Sequence, residues 1–224
     1  MERRIKTNIM PAWIILVGLA LFAVLAVVLT RGTQNAPSSA QIWKDYASQT
    51  GGSYRYSPLG FKHEVTLRVQ GWSVMLGQAS SMEGSEGAAS ITELFAHADL
   101  TGTHQFQLRL DSRAQRLPVV ASFGAPDGQV VASGNAALDA AFEIRTTDAA
   151  LTHNILSQSQ VAEALLKIIR PGMAIGFTSD ASGKAGLHIQ VQDVRVTKPM
   201  IDDVNALTGT LLAQLASAGV ITAQ

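Results

Sequence analysis

The chain predicts an α+β fold: one N-terminal transmembrane helix, then an antiparallel-sheet domain with two or three amphipathic helices. Three observations carry this. Residues 7–30 hold no charge and residues 10–29 are almost wholly apolar. Apolar residues then recur at period 2 from Phe61 to Ile144. From Asp148 onward the period lengthens to 3.6, interrupted by one hairpin. Runs of strands followed by helices favour an antiparallel sheet with helices on one face.

The span comes first. About 20 apolar residues at a rise of about 1.5 Å cover the ~30 Å hydrocarbon core, where the backbone must pair internally and so be helical. We assign the membrane anchor to residues 10–30, carried by Trp13, Ile14, Leu16, Phe22, Leu25 and Val28, with Trp13 at the depth of an interfacial aromatic. Pro11 stands at the start, where its missing N–H does no harm. A cleaved signal peptide has an apolar core of roughly 7–15 residues and a small-residue cleavage motif. The run here is longer, and Pro37 after Ala36 spoils cleavage, so the span reads as a retained anchor. Ala23 and Ala26 lie three apart on nearly one face, the kind of small-residue surface through which helices associate in lipid.

Arg3, Arg4 and Lys6 precede the span, whereas only Arg31 and Lys44 follow it closely. The positive-inside tendency then makes residues 1–9 a cytoplasmic tail and places the rest outside. Residues 31–39 are small and polar and form a linker to a domain at residues 40–224.

Ala40 to Thr50 predicts a brief helix, capped by Ser39 and ended by Gly51 and Gly52, with Ile42, Trp43, Tyr46 and Ala47 on one face packing onto the domain. Phe61, His63, Val65, Leu67 and Val69 alternate with polar residues in a half-buried strand. Gly71 breaks it, and Trp72, Val74 and Leu76 begin the next. Residues 80–89 form a turn. Ile91 to Leu100 has no clean period, and its flanking meander partners favour a strand. Phe106, Leu108 and Leu110 form another. Shorter apolar pieces follow at Pro118 to Ser122 and Val130 to Ala132, around a turn at Ala125 to Gly128, before a strand with Phe142 and Ile144.

Asp148 then caps a short helix through Leu151 and Ile155. Val161, Leu165, Ile168 and Ile169 mark an amphipathic helix stopped by Pro171 and Gly172. Met173, Ile175 and Phe177 form a strand, residues 180–183 a turn, and Leu187, Ile189 and Val191 the return. Pro199 opens a last helix carrying Met200, Val204, Leu207, Leu211 and Leu215, closed by Gly219.

Phe142 to Asp148 (FEIRTTD) leading into a helix, with Ile175 to Asp180 (IGFTSD) and Leu187 to Val191 (LHIQV) after it, resembles a family of bacterial membrane-anchored domains of no known activity. The similar stretch covers about 50 residues of hydrophobic pattern with a capping aspartate. The resemblance implies this architecture and the bacterial inner membrane, and carries over no catalytic residue.

Composition narrows the function. The chain of 224 residues has 17 basic and 17 acidic residues, so it lacks the basic excess of a nucleic-acid binder. Four of the basic residues and one acidic residue lie at or before Arg31, leaving 13 and 16, a net charge of −3. Cysteine is absent, which excludes disulfide staples, thiolate metal ligands, a thiol nucleophile and lipoprotein attachment. Only 15% of residues are charged, in keeping with membrane contact.

The five histidines are His63, His97, His104, His153 and His188. None pairs with another at helical spacing, so the zinc-hydrolase signature is missing. His97 and Asp99 fall two apart and share a strand face, with His104 shortly after; a polar face and a turn is the plain reading. His63 falls on the apolar side of its strand, where a hydrogen-bonded rim histidine is expected. No nucleophile elbow and no phosphate-cradling glycine loop occurs. Asp202 and Asp203 are placed in the first turn of the last helix, where the helix dipole favours them.

The expectation is a non-enzymatic protein without cofactor, metal site or nucleic-acid partner. It contacts the bilayer through residues 10–30 and serves as an accessory or scaffolding subunit among other membrane proteins. The rival is an anchored module holding a lipid or apolar ligand within its sheet, which requires a lined cavity. An enzyme requires a cleft gathering His97, Asp99 or His104 with a partner from elsewhere in the chain.

Overall fold

The computed structural model describes residues 38–58, 62–81, 91–114, 128–192 and 195–222. The predicted anchor with Trp13, Ile14, Leu16, Phe22, Leu25 and Val28, its Ala23 and Ala26 face, most of the linker, Phe61, residues 82–90 and the piece at Pro118 to Ser122 lie outside them. No helix among the described residues is long and apolar enough to cross a membrane.

Nine strands form one antiparallel sheet: β1 Ser53–Ser57, β2 Lys62–Val69, β3 Trp72–Ser81, β4 Ile91–Thr101, β5 Phe106–Ser112, β6 Gln129–Val131, β7 Phe142–Thr146, β8 Met173–Ser179 and β9 Lys184–Gln192. Their order is β1-β2-β3-β4-β9-β8-β5-β7-β6. Five helices are described: α1 Ser39–Thr50, α2 Ala136–Ala141, α3 Ala149–Leu156, α4 Ser159–Ile168 and α5 Lys198–Ser217. The α+β class and the antiparallel sheet are as predicted, with more helices than the two or three expected.

Local chemistry explains the boundaries. Between β2 and β3, Gln70 and Gly71 both hold positive φ, 50° and 96°, as a type I′ hairpin turn requires. At the end of α1, Gly51 takes the left-handed conformation while the Gly52 N–H donates to the Ala47 carbonyl at 2.9 Å. Ser39 is the first residue of that helix rather than the cap before it. The Asp148 carboxylate accepts from the Leu151 N–H at 2.9 Å, capping α3 as expected. Ile91–Thr101 is a strand, paired on both sides. Helix α2 was not foreseen; the Asn135 side chain caps it by accepting from the Ala137 and Leu138 N–H groups.

Alternation sorts the sheet into two faces. One carries Val65, Leu67, Val74, Leu76, Leu94, Ala96, Leu108, Leu110, Ile144, Ile175, Phe177, Leu187, Ile189 and Val191, all buried in one apolar cluster. Every helix contributes to that cluster: Trp43 and Tyr46 from α1, Leu138 from α2, Ile155 from α3, Leu165 from α4, and Leu207, Leu211 and Leu215 from α5. All five helices therefore cover the same face. The described residues of the sheet's other face lie outside that cluster and hold the histidine and arginine rows, with Phe95 and Ala174 buried among them.

Candidate functional site

Cross-strand register puts Met75, His97, His188, Gly176, Arg109, Arg145 and Val130 in one row across seven strands of the polar face. His97 on β4 stands directly opposite His188 on β9, with ring centroids 6.0 Å apart. His97 Nε2 lies 3.1 Å from Asp99 Oδ1. Around them is a shallow pocket of about 270 Å³, walled further by Thr178, Asp180 and Lys184 and floored by Gly176 and Gly186.

Each part has a local cause. Leu187 and Ile189 point into the core, so His188 between them must point out. Burial, with the neighbouring His97 adding to it, pushes the His188 imidazole down to about 4, leaving it neutral at ordinary pH. Asp180 is held by its turn: its Oδ1 accepts from the Ser182 N–H at 2.8 Å, the Ser182 hydroxyl at 2.6 Å and the Lys184 N–H at 3.2 Å. Those hydrogen bonds keep its carboxyl below the usual range.

Farther along the row, Arg109 and Arg145 face each other, an arrangement that is repulsive on its own. Each carries its own acid two residues away. Arg109 Nε and one terminal nitrogen grip Asp111 at 2.7 and 3.0 Å, and Arg145 Nε donates to Glu143 at 3.0 Å. Asp111 and Glu143 are again directly opposite, so the four charges close into a neutral quartet.

His97 and Asp99 share a strand face, as read, and β9 brings His188 to them. His104 is exposed in the bend after β4 and does not line the pocket. His63 sits at the rim, its Nδ1 2.9 Å from the Tyr54 hydroxyl, and burial lowers its pKa. His153 rests its ring against Gly134. Asp202 and Asp203 correct the sequence reading: α5 begins at Lys198, so they stand in its second turn. Their partners are charged side chains rather than the dipole, Lys198 for Asp202 at 2.9 Å and Lys167 for Asp203 at 2.7 Å.

Sequence reasoning missed the part of His188 and of the two glycines. The parity of β9 puts His188 on the polar face, and a glycine inside a strand is itself a signal of close approach. Among the described residues, no group of three or more His, Cys, Asp or Glu side chains is placed to hold a metal ion. No family model, curated protein or solved structure matches the chain.

Proposed function

We propose that the chain is a single-pass membrane protein whose domain, outside the cytoplasm, serves as an accessory or scaffolding subunit of a membrane protein complex. The observation that carries this reading is the filled layer between sheet and helices. Trp43, Tyr46, Phe106, Phe142, Phe177, Leu76, Leu94 and Leu110 are fully buried there. A carrier of apolar ligands needs an open, lined interior, and close-packed aromatic side chains occupy that space instead. The helices are spent on one side of the sheet, and the broad polar side with its histidine pocket and charge quartet is where recognition is left to occur.

The test is a photo-cross-linking residue at Thr66 or Arg68, exposed on the polar side of β2. In intact cells each position should give one discrete adduct with another membrane protein. Cross-links to lipid alone, or a stoichiometric lipid in the purified protein, would overturn the reading in favour of the carrier.

A further inference from the structure

Gly186 differs from the other strand and turn glycines whose surroundings are described. Gly51, Gly134, Gly183 and Gly219 hold positive φ, so their backbone requires glycine. Gly77 lies under the Phe95 ring, Gly102 against the Ser179 hydroxyl, and Gly52 against the Thr66 carbonyl; a side chain at any of these would collide. Gly186 has neither reason. Its φ is ordinary, and a Cβ there would meet only the Ala98 carbonyl oxygen at 3.8 Å and the His97 ring at 4.0 Å. A glycine inside a strand weakens it, so one that packing does not require keeps space open for something that approaches from outside.

The lining says what that something is. Asp99 and Asp180 outnumber Lys184, which argues against an anion, and no group of three His, Cys, Asp or Glu side chains among the described residues is placed to hold a metal. The lining mixes donors and acceptors: the Lys184 ammonium, the Thr178 hydroxyl, two imidazoles and two carboxylates. At about 270 Å³ the pocket falls below the roughly 300–1,000 Å³ of sites for drug-sized ligands. Vicinal hydroxyls both donate and accept, and the C–H face of a pyranose lies flat on an imidazole ring or a glycine floor. From the open floor at Gly186 and the mixed donor–acceptor rim, we propose that this pocket binds one neutral sugar ring. The partly exposed His97 ring packs on its C–H face, with His188 tilted beside it, and Asp99, Asp180 and Lys184 hold its hydroxyls. This site stands independently of the scaffold reading.

Saturation-transfer NMR on the full-length protein in phospholipid nanodiscs tests it, since glycoside detergents would compete. The probes are D-glucose, D-galactose and D-mannose and their methyl glycosides, with inorganic phosphate, which has no carbon-bound proton, followed through the His97 and His188 ring resonances instead. At least one pyranose should receive saturation, with a Kd on the order of 1–10 mM for so small a ligand. Gly186→Val should weaken it at least about tenfold by filling the floor. Gly186→Ala should keep or raise the unfolding midpoint, which separates occlusion from misfolding. Binding of methyl glycosides as well as free sugars identifies a terminal residue of a glycan, and binding of free sugars alone identifies the free monosaccharide; either upholds the site. The proposal is overturned if no sugar binds, if binding survives Gly186→Val, or if phosphate alone perturbs the His97 and His188 rings.

Discussion

The indole N–H of Trp43 donates to the Gln78 side-chain oxygen at 3.1 Å, a buried hydrogen bond that docks α1 onto β3. It lies at the apolar face, where neither partner has water to fall back on. Trp43→Phe should therefore cost more than its lost volume, leaving Gln78 with an unmet acceptor worth about 1–3 kcal/mol. Adding Gln78→Leu should restore part of that loss. Urea unfolding midpoints of the two single variants and the double variant measure the coupling, and simple additivity would deny it.

His188 makes stability depend on pH in a definite direction. Its folded pKa of about 4 lies below the roughly 6.5 of an unfolded histidine, so the unfolded chain binds more protons between those values. Stability should be flat above about pH 7 and decline as pH falls from about 6.5 to about 4. The loss should be on the order of 1–3 kcal/mol. His63, also lowered by burial, acts with the same sign. In His188→Gln the decline should shrink to what His63 and the carboxylates contribute; an unchanged slope in urea titrations across this range would contradict the assignment.

Leu211 is 3% exposed and packs α5 against the sheet cluster. Leu211→Ala should cost about 2–5 kcal/mol, read as a shift of the urea midpoint. An unmoved midpoint would mean that this helix face is not core.

Thr146 stands at a junction of four segments. Its hydroxyl donates to the Gln107 carbonyl at 2.8 Å and accepts from the Thr152 hydroxyl at 2.8 Å and the Asp148 N–H at 3.1 Å. Thr146→Val keeps the shape and orphans these groups, at a cost of about 1–3 kcal/mol. Thr146→Ser should stay close to the parent protein. Equal stabilities for the two variants would show that the hydroxyl is idle.

The proposed topology is tested with protease on intact spheroplasts, which should trim the domain while a cytoplasmic control survives. Complete protection beside a cleaved periplasmic control would place the domain inside. Exchanging Ala23 and Ala26 for leucine should leave insertion intact and remove partners that touch the anchor.

Strands were legible where one face is buried and the other wet. Phe106 to Leu110 alternates because Gln107 and Arg109 lie on the polar side, and the period survives in the sequence. Ile91 to Leu100 was harder because Phe95 is buried on the polar face, over Gly77, and spoils the alternation. Helix α2 escaped because six residues complete fewer than two turns and leave no apolar period to read. Strand order was invisible, since nothing local states that β9 and β8 separate β4 from β5. The site shares that blindness. His97 and Asp99 are neighbours in sequence and were read together, whereas His188, some ninety residues on, meets them only through β4–β9 register.

That same insertion bears on how the chain is made. Strands β4 and β5 leave the ribosome close together, yet each pairs with a hairpin synthesised long afterwards, β4 with β9 and β5 with β8. Until residues 173–192 emerge, β4 has only β3 and β5 only β7 as a partner, so each presents one open edge whose backbone groups can pair with any extended segment nearby. Closure of these long-range pairs is the slow, entropy-limited event of folding, and the interval before it is when the chain is most prone to aggregate or to draw on a chaperone.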